Sequence, residues 1–279
     1  MFIEQARQIA CRAAAEAGER IREKVHHIKR ISLKTSESDL VTEVDKQAEE
    51  IIRSTLLHAF PDHDILGEEG VPPGKEASIR ALEEKLDKDY LWIVDPIDGT
   101  TNFIHGFPFF CVSIALAVKG ELQLGVIYDP MRDDWFVAEK GNGATLNGET
   151  VRVSQEERLS ESLIASGFPP AKNGPSMDRK AFFVLLPKVR NIRVAGSAAL
   201  ELAYVAAGRL SGFWEINLNA WDIAAGALLV SEAGGEISDT LGNPYDLRAR
   251  NVVATNGRIQ QQVIDTLKET QSTGFENEQ

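Results

Sequence analysis

Tyr90-Leu91-Trp92-Ile93-Val94 runs straight into Asp95-Pro96-Ile97-Asp98-Gly99-Thr100, and this junction constrains the fold more than any other stretch. Apolar continuity and β-branched content mark the first five residues as a buried strand, which should stop at Asp95-Pro96. Two carboxylates are thereby delivered where the chain must leave a sheet. Pro96 fixes one φ angle, so Asp95 and Asp98 sit in a pre-set turn. Gly99 allows the backbone to approach a ligand closely, and Thr100 offers a hydroxyl and an N–H. This set suits a hard cation together with a phosphate oxygen. A strand-to-loop turn with Asx hydrogen bonds would account for the same residues.

Around this junction the chain changes character. Residues 3–25 place apolar side chains at helical spacing in an Ala-, Glu- and Arg-rich background, an amphipathic helix. Residues 34–38 read as loop. Thr42-Glu43-Val44-Asp45 has capping-box spacing, which predicts a helix over 43–60 ended by Pro61. Residues 77–86 should also be helical. Strands over 111–118 and 122–128 form a hairpin, 135–139 adds a third strand, and Asn147-Gly148 marks a tight turn. The second half alternates instead, with strands expected at 163–166, 192–194, 212–215 and 252–254. Helices are expected between and after them at 178–186, 198–207, 221–233 and 259–268. Adjacent antiparallel strands followed by strand–helix alternation predict layered α/β packing. Residues 1–269 read as one domain, and the polar stretch 270–279 as a tail that frays.

Composition narrows the chemistry. The 279 residues are 43% hydrophobic, ample for a large core, and no apolar run approaches the roughly 20 residues of a membrane span. Met1-Phe2-Ile3-Glu4-Gln5-Ala6-Arg7 lacks a secretory pattern, so a cytoplasmic protein is expected. A net charge of −12, from 42 acids against 30 bases, argues against a general nucleic-acid backbone binder. The acidity serves either solubility or the clustering of acids around cations. Cys11 and Cys111 lie a hundred residues apart and read as buried free thiols. The five histidines include the adjacent pair His26-His27 but no H-E-x-x-H pattern. Any metal must therefore be held by oxygen.

Three further acidic positions could supply that oxygen. Glu68-Glu69 follows Gly67 in a loop, where a solvated turn is the plain alternative. Asn219-Ala220-Trp221-Asp222 opens a helix, with Asn219 as N-cap and Asp222 favourable to the helix dipole, yet a helix start is also where N–H groups meet phosphate. Asp45 has its capping-box role. Rival chemistries lack their patterns: there is no G-x-x-x-x-G-K-[ST] and no G-x-S-x-G elbow. Gly141-Asn142-Gly143 lacks a dinucleotide fingerprint's third glycine, and an aspartyl-phosphate enzyme would want D-x-D where this chain has D-x-x-D. Water is the better nucleophile.

Leu40-Val41-Thr42 with Asp45, Gly67-Glu68-Glu69, Asp95-Pro96-Ile97-Asp98-Gly99-Thr100 and Trp221-Asp222-Ile223-Ala224-Ala225-Gly226 together resemble the inositol monophosphatase family, in its order and at its usual intervals. The resemblance covers roughly residues 5–265 and implies a five-layer α-β-α-β-α sandwich with a mostly antiparallel first sheet. It implies two to three Mg²⁺ ions. Glu68, Asp95 and the carbonyl of Ile97 would hold the first, and Asp95, Asp98 and Asp222 the second. Glu68 would also touch a weaker third. Gly99 and Thr100 are similar to residues whose N–H groups hold phosphate, while Asp45 resembles the acid that hydrogen-bonds near Thr100. In that scheme Glu68 and Thr100 orient the attacking water. Gly196-Ser197-Ala198 and Glu215 match positions that contact the hydroxyl-bearing part of the substrate. Glu215 lies seven residues before Asp222, as in members acting on inositol phosphates, although Gly196-Ser197 would serve equally as a turn and N-cap. Ser166-Gly167-Phe168-Pro169 looks more like bacterial members, and Pro170 to Ser176 has no usable pattern. The resemblance further implies lithium sensitivity and a homodimer. Histidinol phosphate, fructose 1,6-bisphosphate or a nucleotide 3′-phosphate could replace inositol phosphate as substrate. A non-catalytic binding protein on this fold is the alternative from another class.

Overall fold

The computed structural model describes residues 2–25, 43–168 and 178–276. The predicted loop at 34–38, Leu40-Val41-Thr42, His26-His27 and Pro169 to Ser176 lie outside the described residues. Two helices open the chain, α1 (Phe2–Val25) and α2 (Glu43–Ala59). α1 buries Ala6, Ala10, Ala13, Ala14, Ala17 and Ile21, and α2 buries Ala48, Ile52 and Leu56. These are the i, i+3/i+4 stripes that periodicity predicts.

β1 (Asp64–Gly67) leads into a single 3-10 turn, Glu68–Gly70, and α3 (Lys75–Glu83) crosses to β2 (Tyr90–Asp98). A short helix α4 (Thr100–His105) follows, then β3 (Cys111–Val118), β4 (Glu121–Asp129), β5 (Asp134–Glu139), β6 (Gly143–Leu146) and β7 (Glu149–Val151). These seven strands form one sheet in chain order, antiparallel throughout except for β1 against β2. The strand expected to stop at Asp95-Pro96 instead continues to Asp98, which pairs with Cys111. Pro96 is tolerated because it sits in the ladder irregularity between Asp95 and Asp98, where no N–H is required.

The second half contributes β8 (Leu163–Ser166), α5 (Asp178–Leu185), β9 (Asn191–Arg193), α6 (Ala198–Ala206), β10 (Gly212–Glu215), α7 (Ala220–Glu232), β11 (Glu236–Asp239), β12 (Val252–Thr255) and α8 (Gln260–Glu269). Its five-stranded sheet runs β11-β12-β10-β8-β9, with the β10–β8 and β8–β9 pairs parallel. β11 escapes sequence patterning because Glu236-Ile237-Ser238-Asp239 holds one apolar residue; its ladder with β12 makes it a strand.

Strand alternation shows how the layers stack. Trp92 and Val94 pack with α1 and α2, whereas Leu91 and Ile93 face the cluster containing α6 and α7. On the second sheet Phe213 and Ala254 join that same middle cluster, while Ile164, Trp214 and Val253 point outward to α5 and α8. The result is the layer order α1/α2, sheet, α6/α7, sheet, α5/α8. α7 is buried on nearly every side, from Ala220 and Trp221 to Val230, as a helix between two sheets must be. Close approach demands a missing side chain at Gly125, where a Cβ would lie 2.7 Å from the Ala225 carbonyl oxygen of α7.

By its polar composition, the segment after residue 269 is expected to fray. Ser272 and Thr273 are nevertheless buried, and the Thr240 hydroxyl donates to the Thr273 carbonyl at 2.5 Å. Glu276 closes this segment by accepting from the Thr273 N–H at 2.6 Å. Polar composition alone gave no sign of this docking.

Candidate active site

Three elements bring four acids to one place. Asp95 and Asp98 project from the end of β2, Glu68 from the turn after β1, and Asp222 from the first turn of α7. Carboxylate oxygens of Asp95, Asp98 and Asp222 lie within 4.8 Å of one another. The Asp95 carboxyl is within hydrogen-bond reach of both Glu68 and Asp222. Asp95 and Asp98 are buried, whereas Glu68 and Asp222 keep partial exposure, so the cluster is open to solvent on their side.

Register explains the Glu68–Asp95 encounter. Gly67 pairs with Val94 in the parallel β1–β2 ladder, so the next residue on each strand is Glu68 or Asp95. Asp222 is placed by its helix start: the Asn219 N–H donates to Asp222 Oδ2 at 2.6 Å. The capping role and membership of the cluster are therefore both true of Asp222. Arg250 braces this corner, donating to Asn219 Oδ1 at 2.7 Å and to the Asn217 carbonyl at 3.2 Å.

Asp98 is held from the other half of the chain. Ser197 Oγ donates to Asp98 Oδ2 at 2.6 Å and the Ala199 N–H to the same oxygen at 2.7 Å. Ser197 also caps α6, accepting from the Leu200 N–H. Its hydroxyl thus already has two partners, and the exposed part of the Gly196-Ser197-Ala198 corner is Gly196. Cys111 Sγ lies 3.9 Å from Asp98 Oδ2, so this buried thiol has polar company instead of purely apolar surroundings; Cys11 is only half-buried.

The turn after Asp95 is an Asx turn, with the Ile97 N–H donating to Asp95 Oδ1 at 3.0 Å. Thr100 Oγ1 lies 3.0 Å from the Ile97 carbonyl and 3.3 Å from Asp45 Oδ1, which links α2 to this turn. Gly99 adopts φ 99°, and a Cβ there would meet the Phe109 carbonyl at 3.0 Å and the Gly196 carbonyl at 3.2 Å. Only glycine fits. Glu215 ends β10 with its carboxylate over Gly167, where a Cβ would come within 2.1 Å of it.

Asn102, Glu49 and Glu201 escaped the sequence reading. The Asn102 amide donates to the carbonyls of Phe109 and Ala195, each at 2.7 Å, tying α4 to the loop before α6. Glu201 accepts from the Ala195 N–H at 2.9 Å, so both sides of Ala195 are fixed. Nothing in the local patterns of Asn102 and Glu201 signals this, because the Asn102–Ala195 bond joins the two halves of the chain and the Glu201 bond reaches back over a cap.

Electrostatics show what the arrangement lacks. Burial, then repulsion from Asp222 and Asp45, pushes the Glu68 carboxyl well above the ordinary carboxylate range. Burial, then Glu68, Asp98 and Asp222, does the same to Asp95. Asp98 rises to about 6 through burial despite its Ser197 and Ala199 donors. Asp222 rises to about 7 through burial and Asp98, partly offset by the Asn219 N–H and Arg250. Protein groups leave these charges under-compensated, which is how a site for a bound cation behaves without it. An all-oxygen donor set fits a hard divalent ion and not a thiophilic one.

A model of the inositol monophosphatase family matches residues 3–272. The Nus factor SuhB of Pseudomonas aeruginosa is 45% identical over 264 residues, 93% of this chain and 94% of that protein. Inositol monophosphatase 2 of Solanum lycopersicum is 42% identical over 266 residues, 94% of this chain and 98% of that one. The crystal structure of the extragenic suppressor protein suhB from Bartonella henselae matches with a TM-score of 0.85 at 40% identity, covering 95% of this chain and 99% of that chain. By sequence and by fold, this chain belongs to the inositol monophosphatase family.

Proposed function

We propose that the protein is a Mg²⁺-dependent phosphomonoesterase that hydrolyses myo-inositol monophosphate to inositol and phosphate. The observation that carries this reading is the convergence of Glu68, Asp95, Asp98 and Asp222 from three elements into one partly open acidic cluster. Glu68, Asp95 and the Ile97 carbonyl would hold one Mg²⁺, Asp95, Asp98 and Asp222 a second, and Glu68 would reach a weaker third. When bound, the ions neutralise phosphoryl charge and acidify water. That contribution is needed: phosphate monoesters demand rate enhancements approaching ~10²¹, and one general base supplies only ~10²–10⁴.

The chain's own groups do the rest. Thr100, hydrogen-bonded toward Asp45 and the Ile97 carbonyl, orients the attacking water together with Glu68. N–H groups of Gly99 and Thr100 steady the phosphoryl oxygens. Gly196 through its backbone and Glu215 through its carboxylate take the hydroxyls of the leaving group, whereas the buried Ala198 N–H, expected to share that role, serves Asp98 instead. We also infer a cytoplasmic homodimer; among the described residues no helix is long and apolar enough to cross a membrane.

Phosphate release from myo-inositol 1-phosphate, fructose 1,6-bisphosphate, histidinol phosphate and a nucleotide 3′-phosphate, with Mg²⁺ titrated and lithium added, tests the reading. Preference for the inositol ester supports it, and preference for another ester moves the substrate while keeping the chemistry. No Mg²⁺-dependent release from any ester sinks it. A binding role is the second reading, because a relative 45% identical bears the name Nus factor. The full set of acids favours catalysis.

A further inference from the structure

α2 carries Asp45, Glu49 and Arg53 on successive turns of one face, an i, i+4, i+8 row. Asp45 belongs to the site already described. Glu49 is 4% exposed, and its Oε2 accepts from the Glu69 N–H at 2.7 Å. Arg53 Nη1 lies 3.6 Å from Glu49 Oε1 on the outer side.

The turn that receives Glu49 is shaped around it. A Cβ on Gly67 would lie 2.5 Å from the Glu49 carboxyl carbon and 2.5–2.6 Å from its two oxygens, so the carboxylate occupies the space a side chain would need. On the far side of the turn, a Cβ on Gly70 would stand 3.6 Å from Oε1, in ordinary contact. The carboxylate therefore sits in the cradle of Gly67–Gly70 and satisfies the Glu69 N–H, which a 3-10 turn leaves without a partner of its own. Glu68, between Gly67 and Glu69, projects the opposite way, toward Asp95.

A buried carboxylate with Glu50 and Glu69 as acidic neighbours is electrostatically unfavourable, and an apolar side chain of similar volume would fill the space without that penalty. An apolar side chain would not provide the acceptor for Glu69. We propose that Glu49 is a positioning residue for the cation site: through the Glu69 N–H and the vacant side of Gly67 it locks the turn that aims the Glu68 carboxylate at the Asp95–Asp98–Asp222 cluster. This rests on the metal-dependent reading of that cluster.

Mg²⁺ binding by isothermal calorimetry without substrate, alongside Mg²⁺-dependent phosphate release, tests it on the full chain with wild type, Glu49→Gln, Glu49→Ala and Glu49→Asp. The Gln amide oxygen can still accept from Glu69, so Glu49→Gln should bind Mg²⁺ within about threefold of wild type. Glu49→Ala should weaken binding by about 10–100-fold, the range for losing a group that orients a metal ligand. Its half-saturating Mg²⁺ should rise far more than its KM for the ester, and excess Mg²⁺ should recover most of kcat. If Glu49→Ala does not fold, Glu49→Asp, whose acceptor is withdrawn by one methylene, carries the same expectation. Wild-type affinity in the Ala or Asp variant overturns the proposal, as does equal loss in Gln and Ala. Wild type that neither binds Mg²⁺ nor releases phosphate would instead overturn the functional reading on which it stands.

Discussion

Ser197 Oγ donates to Asp98 Oδ2 at 2.6 Å across 99 residues of sequence, making the start of α6 part of the acidic corner at the end of β2. Ser197→Ala removes this donor and leaves Asp98 with backbone N–H groups and the weak Cys111 thiol contact. Metal affinity and turnover should fall by about 10–100-fold, as for other groups that orient a ligand. Calorimetric Mg²⁺ titration checks this, and an affinity equal to wild type would show the bond to be incidental.

Asp95 touches both Glu68 and Asp222, so its replacement strikes the centre of the cluster. Asp95→Asn keeps the shape, removes one repelling charge, and retains an acceptor for the Ile97 N–H. Mg²⁺-dependent phosphate release should vanish while the metal-free melting temperature holds or rises. Near-normal turnover in this variant would refute the metal role of Asp95.

The raised carboxyls fix the sign of a pH effect. Asp98 at about 6 and Asp222 at about 7 stand above the ordinary value of about 4 in an unfolded chain. The native state therefore binds more protons than the unfolded one between those values. Their contribution to stability is present in full below about pH 4 and is lost as pH rises through about 7. Mg²⁺ competes with the same protons, so it should raise the melting temperature more at about pH 8 than at about pH 5.5. Thermal melts in chelator and in Mg²⁺ at both pH values check this; a larger Mg²⁺ effect at the lower pH would contradict it.

Gly125 faces backbone, which has little room to give: a Cβ there would meet the Ala225 carbonyl oxygen at 2.7 Å. Gly125→Ala should force β4 and α7 apart and destabilise the protein by about 1–3 kcal/mol. Denaturant unfolding in the presence of chelator, which removes any metal contribution, measures this directly.

Local features of the sequence carried most of the fold. The α1 stripe, the β3–β4 hairpin and the start of the buried β2 strand are each decided within a dozen residues and stand where local pattern puts them, whereas the end of β2 runs on to Asp98. The acids of the site were also visible, since Asp95 and Asp98 share one turn. What patterning could not show is pairing at a distance. Glu68 reaches Asp95 through a parallel register, and Asn102 reaches Ala195 across 93 residues, neither of which any window of sequence encodes. Glu49 did leave a trace, four residues after Asp45 on the same helix face. Its use depends on Gly67 lacking a side chain, which shows only once the turn is folded.

The first sheet has one parallel pair, and that pair lies at its margin. β1 is four residues long and hydrogen-bonded to a single neighbour, β2. Outer strands of this kind are the first to fray, and when β1 peels away Glu68 departs with it. On the proposed metal reading, occupancy of the acidic cluster is thermodynamically tied to the integrity of the sheet's rim: an ion held by Glu68 would act as a rivet on β1, and each breath of β1 would open a route for it to leave.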